Sequence, residues 1–321
     1  MPRQRALVLV NSTAARIRRR AGLVTRLDEM ARAGGAELRV TTRPEEMDEI
    51  ARSLATRAEL PLVVLVGGDG THMAGVSAMA RALGDRALPD FALCAAGTVN
   101  TTAAAWGSSG QALTDVGRAL AGAPMRERAT ISVEDAEGTR RLGFIWGTGL
   151  VARFFELYDD AGGGLAVAAK LTARLALSGA LGGQLSSRVL APMPCTIDVD
   201  GRRADGDAFS LAVSSVLRDV GLGIRVTYRA GERDDRIHFV ASRGRPAELA
   251  SLLPRTLMGR GFDRPDDLDV LAAEVVVTGK DGVLPYILDG DTLRSDHVRL
   301  SVGRRLRVAD LSRAIAGRLR T

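Results

Sequence analysis

The chain has 321 residues, 46% of them hydrophobic and 26% charged, which is globular composition at a length that favours two domains over one. Its net charge of +6 is carried almost wholly by arginine; Lys170 and Lys280 are the only lysines and neither follows a glycine-rich turn, which excludes a Walker-type phosphate loop. Aromatic residues make up 4%, too few for a base-stacking surface, and two cysteines (Cys94, Cys195) exclude a disulfide framework, while no Cys/His spacing resembles a zinc site.

The apolar run Ala6 to Val10 is too short for a signal-peptide core, and it reads as a buried parallel strand ending at the polar turn Asn11-Ser12-Thr13. No stretch approaches the ~18 consecutive apolar residues of a spanning helix. The expectation is a cytoplasmic protein with peripheral, transient contact at the inner face of the membrane. A helix is predicted over 17–33, with Ile17, Leu23, Leu27 and Met30 on one face. A short strand follows at 37–41, then a helix over 44–56 opened by Pro44, a position where proline costs little. The run PLVVLV at 61–66 is apolar throughout, as strands covered on both faces are. The glycine turn Gly67-Gly68-Asp69-Gly70-Thr71 comes next, then a helix over 72–83 and a strand at 91–95. Strands alternating with helices predict a doubly wound α/β sheet, whose ligands bind beyond the carboxyl ends of the strands. Asn11, Thr41, the 67–71 turn and Gly97-Thr98 all fall at such ends.

After about residue 128 the rhythm changes to alternating segments at 130–135, 142–147, 195–200, 209–216, 223–229, 236–241, 273–278 and 298–302, interrupted by a helical stretch over roughly 151–182. These predict a mainly antiparallel β-sandwich over 129–302, with 1–128 as the α/β domain and residues 303–321 returning to it.

Between a buried strand and a helix, the 67–71 glycines let a phosphate approach the backbone, and the helix start offers free N–H donors. Asp69 is unexpected there, since a carboxylate repels polyphosphate unless Mg²⁺ lies between them or the carboxylate orients donors around the site. A tight turn with Asp69 as a helix cap explains the same residues.

GGDGT after a buried strand, followed by Gly97-Thr98-Val99-Asn100 and the small-residue run to Trp106, resembles the catalytic region of diacylglycerol kinases, a family that includes sphingosine, ceramide and bacterial lipid kinases. NAD kinases and phosphofructokinases share a related glycine turn; the second signature favours the lipid kinases. The resemblance implies ATP with Mg²⁺ held by Gly67, Gly68, Asp69, Gly70, Thr71, Gly97 and Thr98, with Asn100 bracing its loop and Asn11 and Thr41 contacting the nucleotide. His72, at the helix start, is a further donor candidate, although all three histidines read as structural. LGFIWGTGL at 142–150, the segment 210–240 and YILDGDTL at 286–293 extend the resemblance along nearly the whole chain, more loosely.

Two departures stand out. Where the family has Asp-Gly-Glu, whose glutamate deprotonates the lipid hydroxyl, this chain has Asp291, and Leu288-Asp289-Gly290-Asp291 also reads as a plain hairpin turn. Where the family has Asp-Gly at a structural Mg²⁺ site, this chain has Asp234-Asp235-Arg236; Asp235, Glu232 and the backbone of Ile237 are the remaining ligand candidates. The stretch 164–188, apolar with Lys170, Arg174 and Arg188, reads either as an interfacial helix facing anionic headgroups or as a helix buried across the second domain.

The implied activity is transfer of the γ-phosphoryl group of ATP to the hydroxyl of a membrane lipid such as diacylglycerol, ceramide or a sphingoid base, in a cleft between the domains. Asp291 is the implied base, and Asp69 is a catalytic candidate that organises the metal–phosphate region. The rivals are a kinase with a soluble acceptor such as NAD, and a lipid- or nucleotide-binding protein that has lost catalysis. No nucleic-acid partner is expected, and a homodimer is left open.

Overall fold

The computed structural model describes residues 6–312 except 163, 164, 263 and 281, so the part of the predicted returning segment at 313–321 lies outside the described residues. The chain divides into two compact units, Met1–Arg128 with Arg305–Thr321, and Ala129–Arg304.

The first unit is built on a six-stranded sheet in the order Glu37–Thr41, Ala6–Asn11, Leu62–Gly67, Phe91–Ala95, Leu306–Ala309, Met125–Arg128. All neighbours are parallel except the last pair. Side chains alternate across a strand, so Val8, Val10, Val64, Val66, Ala92 and Cys94 share one face and pack on Leu23, Leu27 and Val116. Leu65, of opposite parity, meets Gly75 of the helix Asp69–Leu83 on the other face. Burial on both faces is why these strands carry no polar alternation. Chain order runs outward in both directions from Ala6–Asn11, so the carboxyl ends of that strand and of Leu62–Gly67 flank the topological switch point.

Two predicted boundaries differ. The helix expected over 17–33 is two pieces, Ala15–Arg18 and Leu23–Ala33, because Gly22 takes a left-handed conformation (φ 75°) between them. The helix expected from 72 begins at Asp69, which puts Gly70 and Thr71 inside its first turn.

The second unit holds two antiparallel sheets. One runs Arg202–Arg203, Met193–Val199, Glu274–Gly279, His297–Val302, Ile131–Asp135, Arg140–Gly143; the other runs Leu268–Ala272, Ile237–Ser242, Leu211–Ser215, Ile145–Gly149, Leu284–Leu288, Asp291–Ser295. Trp146 is fully buried, with Phe239 and Tyr286 each 6.3 Å away between ring centres. The expected helical stretch becomes Leu150–Asp160, Leu165–Ala180 and Gln184–Val189, and a further helix, Pro246–Leu257, packs against the second of these. The segment 223–229 is turns rather than a strand; Val226 and Ile224 nevertheless pack into the core, which explains its apolar spacing.

Candidate active site

Three loops meet at the switch point, and specific hydrogen bonds hold them together. Asn11, ending its strand, donates from Nδ2 to Thr71 Oγ1 at 2.8 Å, while its Oδ1 accepts from the amide and hydroxyl of Thr13. The Thr71 side chain fills the space where a Cβ on Gly67 would stand, 2.4 Å away, so position 67 admits only glycine if Thr71 is to face Asn11. A Cβ on Gly97 would lie 2.4 Å from Gly68 Cα; the two glycine loops touch backbone to backbone. The amides of Ala96 and Gly97 both donate to Gly67 O, at 2.7 and 3.0 Å.

Asp69 joins the two loops electrostatically. Its Oδ2 accepts from the Thr101 amide and its Oδ1 from the Thr102 amide, each at 2.9 Å. It therefore caps the short helix Thr101–Ala105 while sitting at the first position of its own. Of the two uses open to this carboxylate, the geometry gives it the orienting one. Asn100, at a left-handed φ of 59°, closes its loop by accepting from Gly97 N (2.7 Å) and donating to Gly97 O (2.9 Å). Thr98 is exposed at the loop tip. Helix geometry leaves the amides of Asp69, Gly70 and Thr71 without an intrahelical acceptor, which makes this half-buried helix start an anion-binding arrangement.

Two candidates sit differently from the rest. His72 is fully buried with Nε2 3.4 Å from Cys94 O, and burial, partly opposed by the Asp69 charge, lowers its proton affinity. A neutral imidazole in the core does not reach a phosphate, so His72 is corrected to a structural residue. Thr41 is 2% exposed, its hydroxyl turned 3.5 Å from Val10 O; its carbonyl, accepting from Ser12, shapes the loop after the first strand.

One part of the site was invisible in the sequence. Buried Asp115 accepts from Ser108 Oγ (2.5 Å) and Ser109 N (2.9 Å), and Ser108 Oγ in turn receives the Ala95 amide, so the helix Ala112–Leu120 steadies the end of the fourth strand.

In the second unit, Asp289 and Gly290 form a two-residue hairpin with φ of 52° and 99°, a mirror-image turn that pairs Leu288 with Asp291. Asp289 is 5% exposed and accepts from the amides of Phe144 (2.9 Å) and Ile145 (2.8 Å), so the turn is clamped to the neighbouring strand. Asp291 opens the return strand at the surface. Although its residue surface is exposed, its carboxyl group lies among enough protein that desolvation raises its pKa, with repulsion from Asp159 adding to the rise. The hairpin reading of these residues holds, and the hairpin itself presents Asp291.

The metal-ligand candidates do not fit an ion. Glu232 pairs with Arg229 at 2.9 Å and Asp235 with Arg233 at 3.0 Å. Arg236 donates to Asp200 at 2.8 Å and lies 3.5 Å from Asp235, so a guanidinium stands among the carboxylates. Ile237 is committed to its strand, opposite Ala272. Among the described residues no group of three or more His, Cys, Asp or Glu gathers to hold a metal. His238 pairs with Asp269 at 2.8 Å, but inside the core and beneath Tyr228.

The helix Leu165–Ala180 is not buried across its unit. Lys170, Arg174 and Leu177 lie on its exposed face, with Leu177 63% and Leu181 76% exposed; Leu175 and Gly179 turn inward. No helix among the described residues is long and apolar enough to cross a membrane.

Residues 5–131 match the diacylglycerol kinase catalytic domain. The crystal structure of a diacylglycerol kinase from Bacillus anthracis str. Sterne is similar at TM-score 0.65 and 13% identity, over 96% of this chain and 97% of that one. A second structure from the same organism, described as a candidate diacylglycerol kinase, reaches TM-score 0.70 at 15% identity over 94% of both chains. At such identities the likeness is one of fold. No curated protein matches the chain.

Proposed function

We propose, for a chain whose residues 5–131 match the diacylglycerol kinase catalytic domain, that the protein transfers the γ-phosphoryl group of ATP to the hydroxyl of a membrane lipid. Diacylglycerol, ceramide and a sphingoid base are the acceptors considered. The observation that carries the reading is the Asp69 tie: one carboxylate takes up the first amides of the Thr101 helix and holds it against the 67–71 turn, which leaves the backbone amides of Asp69, Gly70 and Thr71 as the donors for a phosphate.

Phosphoryl transfer asks the protein chiefly for position and charge complementarity. The backbone of Gly67–Thr71 and the exposed Thr98 hold the nucleotide, and Asn11 and Asn100 keep those loops in register. Magnesium would arrive with the nucleotide phosphates, and no resident ion is assigned to the acceptor unit. Asp291 takes the proton of the acceptor hydroxyl. Its raised proton affinity suits that task, because a base poised nearer neutrality removes a hydroxyl proton more effectively.

The exposed face of Leu165–Ala180 supports contact with an anionic bilayer. The described residues of that helix, with Leu181 beyond it, include two cations and no carboxylate. The protein would then work at the cytoplasmic membrane surface as a peripheral enzyme.

Replacing Asp291 tests the assignment. Asp291→Asn should lower turnover by about 10²–10⁴-fold, the usual worth of a general base, while Asp291→Glu retains measurable transfer. An Asn variant that phosphorylates diacylglycerol micelles at the wild-type rate contradicts the role.

A further inference from the structure

The first unit contains no lysine, since Lys170 and Lys280 both lie in the second. A polyphosphate seated on the amides of Asp69, Gly70 and Thr71 must therefore find its side-chain cation among the arginines. The loops at the carboxyl ends of the strands narrow the choice. After Leu62–Gly67 the next arginine is Arg81, in the last turn of the helix Asp69–Leu83, where it pairs with Asp48 at 2.6 Å. After Phe91–Ala95 it is Arg118, whose Nη1 donates to Leu311 O at 2.6 Å. Arg43, after Glu37–Thr41, lies 3.6 Å from Glu46. After Ala6–Asn11 come Arg16, Arg18, Arg19 and Arg20, all exposed and, among the described residues, in no ion pair. The amides of the last three bond back within their own turn, to Ala14, Ala15 and Ile17, whereas that of Arg16 does not.

Arg16 is fastened to the glycine loops by its backbone. Its amide donates to Ala96 O at 2.9 Å, and the amides of Ala96 and Gly97 donate in turn to Gly67 O. Gly97 stands against Gly68, so one hydrogen bond and one backbone contact join Arg16 to the residue before Asp69. The side chain is anchored too, with Nη1 donating to Gly110 O at 2.7 Å. Position 110 suits that anchor: its φ is 77°, and a Cβ there would stand 3.4 Å from Nη1. A guanidinium carries several further N–H donors beyond the one used here. The carboxylates of the same loops are committed elsewhere, Asp69 to the Thr101 and Thr102 amides and buried Asp115 to Ser108 and Ser109.

We propose that Arg16 is the phosphate-binding cation of the nucleotide site, adding a fork of charged donors to the backbone amides of the 67–71 turn. This rests on that turn holding the nucleotide. A guanidinium keeps its charge across the physiological range, and its planar fork matches two oxygens of a phosphate. The bond to Gly110 O restrains the fork before the nucleotide arrives, so less side-chain freedom is lost on binding. Arg16 acts on the phosphates alone: a nucleoside without them gains nothing from it. This separates a binding role from a brace between loops, which would serve every ligand of the site equally.

The test compares the affinities of ATP and adenosine for the full-length protein by NMR amide-shift titration. Arg16→Gln should weaken ATP about tenfold or more, the usual worth of a hydrogen bond to a charged group, and leave adenosine unchanged. Arg16→Lys, which keeps the charge but not the fork, should recover part of the loss. The dependence of ATP affinity on salt should be shallower in Arg16→Gln than in wild type, because one cation has left the site. Arg16 is exposed and its backbone bond to Ala96 survives substitution, so both variants should melt as wild type does. ATP affinity unchanged in Arg16→Gln overturns the assignment while leaving the nucleotide site in place. Equal losses for ATP and adenosine, with no recovery in Arg16→Lys, overturn it in favour of a brace. A wild-type protein that binds ATP no better than adenosine removes the phosphate site itself, and the proposal falls with it.

Discussion

At the residue scale, Asp69 carries the most consequence for its size. The sequence showed a carboxylate where polyphosphate ought to bind, and left open whether it met a metal, oriented donors or capped a helix. Its two oxygens accept amides 32 and 33 residues onward, so it caps a helix other than its own. Removing a capping carboxylate costs about 0.5–2 kcal/mol. Asp69→Ala should therefore leave the fold intact and abolish transfer. Its nucleotide affinity, measured by titration with a fluorescent ATP analogue, should fall at least several-fold. Asp69→Asn, which keeps one acceptor oxygen, should lie between the variant and wild type. Wild-type affinity and turnover in the alanine variant would show that the tie has no part in the site. The glycine pattern and its spacing were legible in the sequence because they obey local rules of strand, turn and helix. The partners of Asp69 were not, since local spacing says nothing about which amides a carboxylate reaches across 30 residues. His72 is the opposite case: its position at a helix start suggested a phosphate donor, and only the packing against Cys94 shows it to be core.

At the scale of elements, the strands Ala6–Asn11, Leu62–Gly67 and Phe91–Ala95 were readable because they are buried on both faces, whereas Met125–Arg128 and Leu306–Ala309 are four residues each and were not anticipated. The break at Gly22 was missed, since Ile17, Leu23 and Leu27 keep helical spacing across it while the backbone does not. In the second unit, the strands at 268–272, 284–288 and 291–295 escaped notice because each is short, the second carries a proline and the other two mix polar with apolar residues. The hairpin that joins the last two is what presents Asp291, so the acceptor half was the less legible one. The contact between the two glycine loops can be tested directly. Gly97→Ala places a methyl 2.4 Å from Gly68 Cα, and neither backbone can yield without moving its loop. Overpacking of this kind typically costs about 1–3 kcal/mol. The variant should keep its circular dichroism spectrum, melt at lower temperature and lose most of its ATP affinity. Unchanged affinity would mean that the loops need not touch for the nucleotide to bind.

For the molecule as a whole, composition and rhythm were enough to divide an α/β sheet from an antiparallel half. They could not show how the acceptor unit compensates for an unfit metal site. There Arg236 bridges Asp200 and Asp235, supplying positive charge from the chain itself. Both carboxylates are exposed, so these pairs add little to stability and serve chiefly to neutralise the local negative charge. The charge plan of the whole chain supports the proposed division of labour: backbone donors for phosphate in one unit, and in the other the Asp291 carboxylate with a cationic, apolar helix face. That plan makes one comparison decisive. Radiolabelled γ-phosphate from ATP should be followed into a panel of acceptors: diacylglycerol, ceramide and a sphingoid base in mixed micelles, and NAD without detergent. The account predicts label in at least one lipid and none in NAD. Label in NAD, or in no acceptor despite ATP binding, would contradict it.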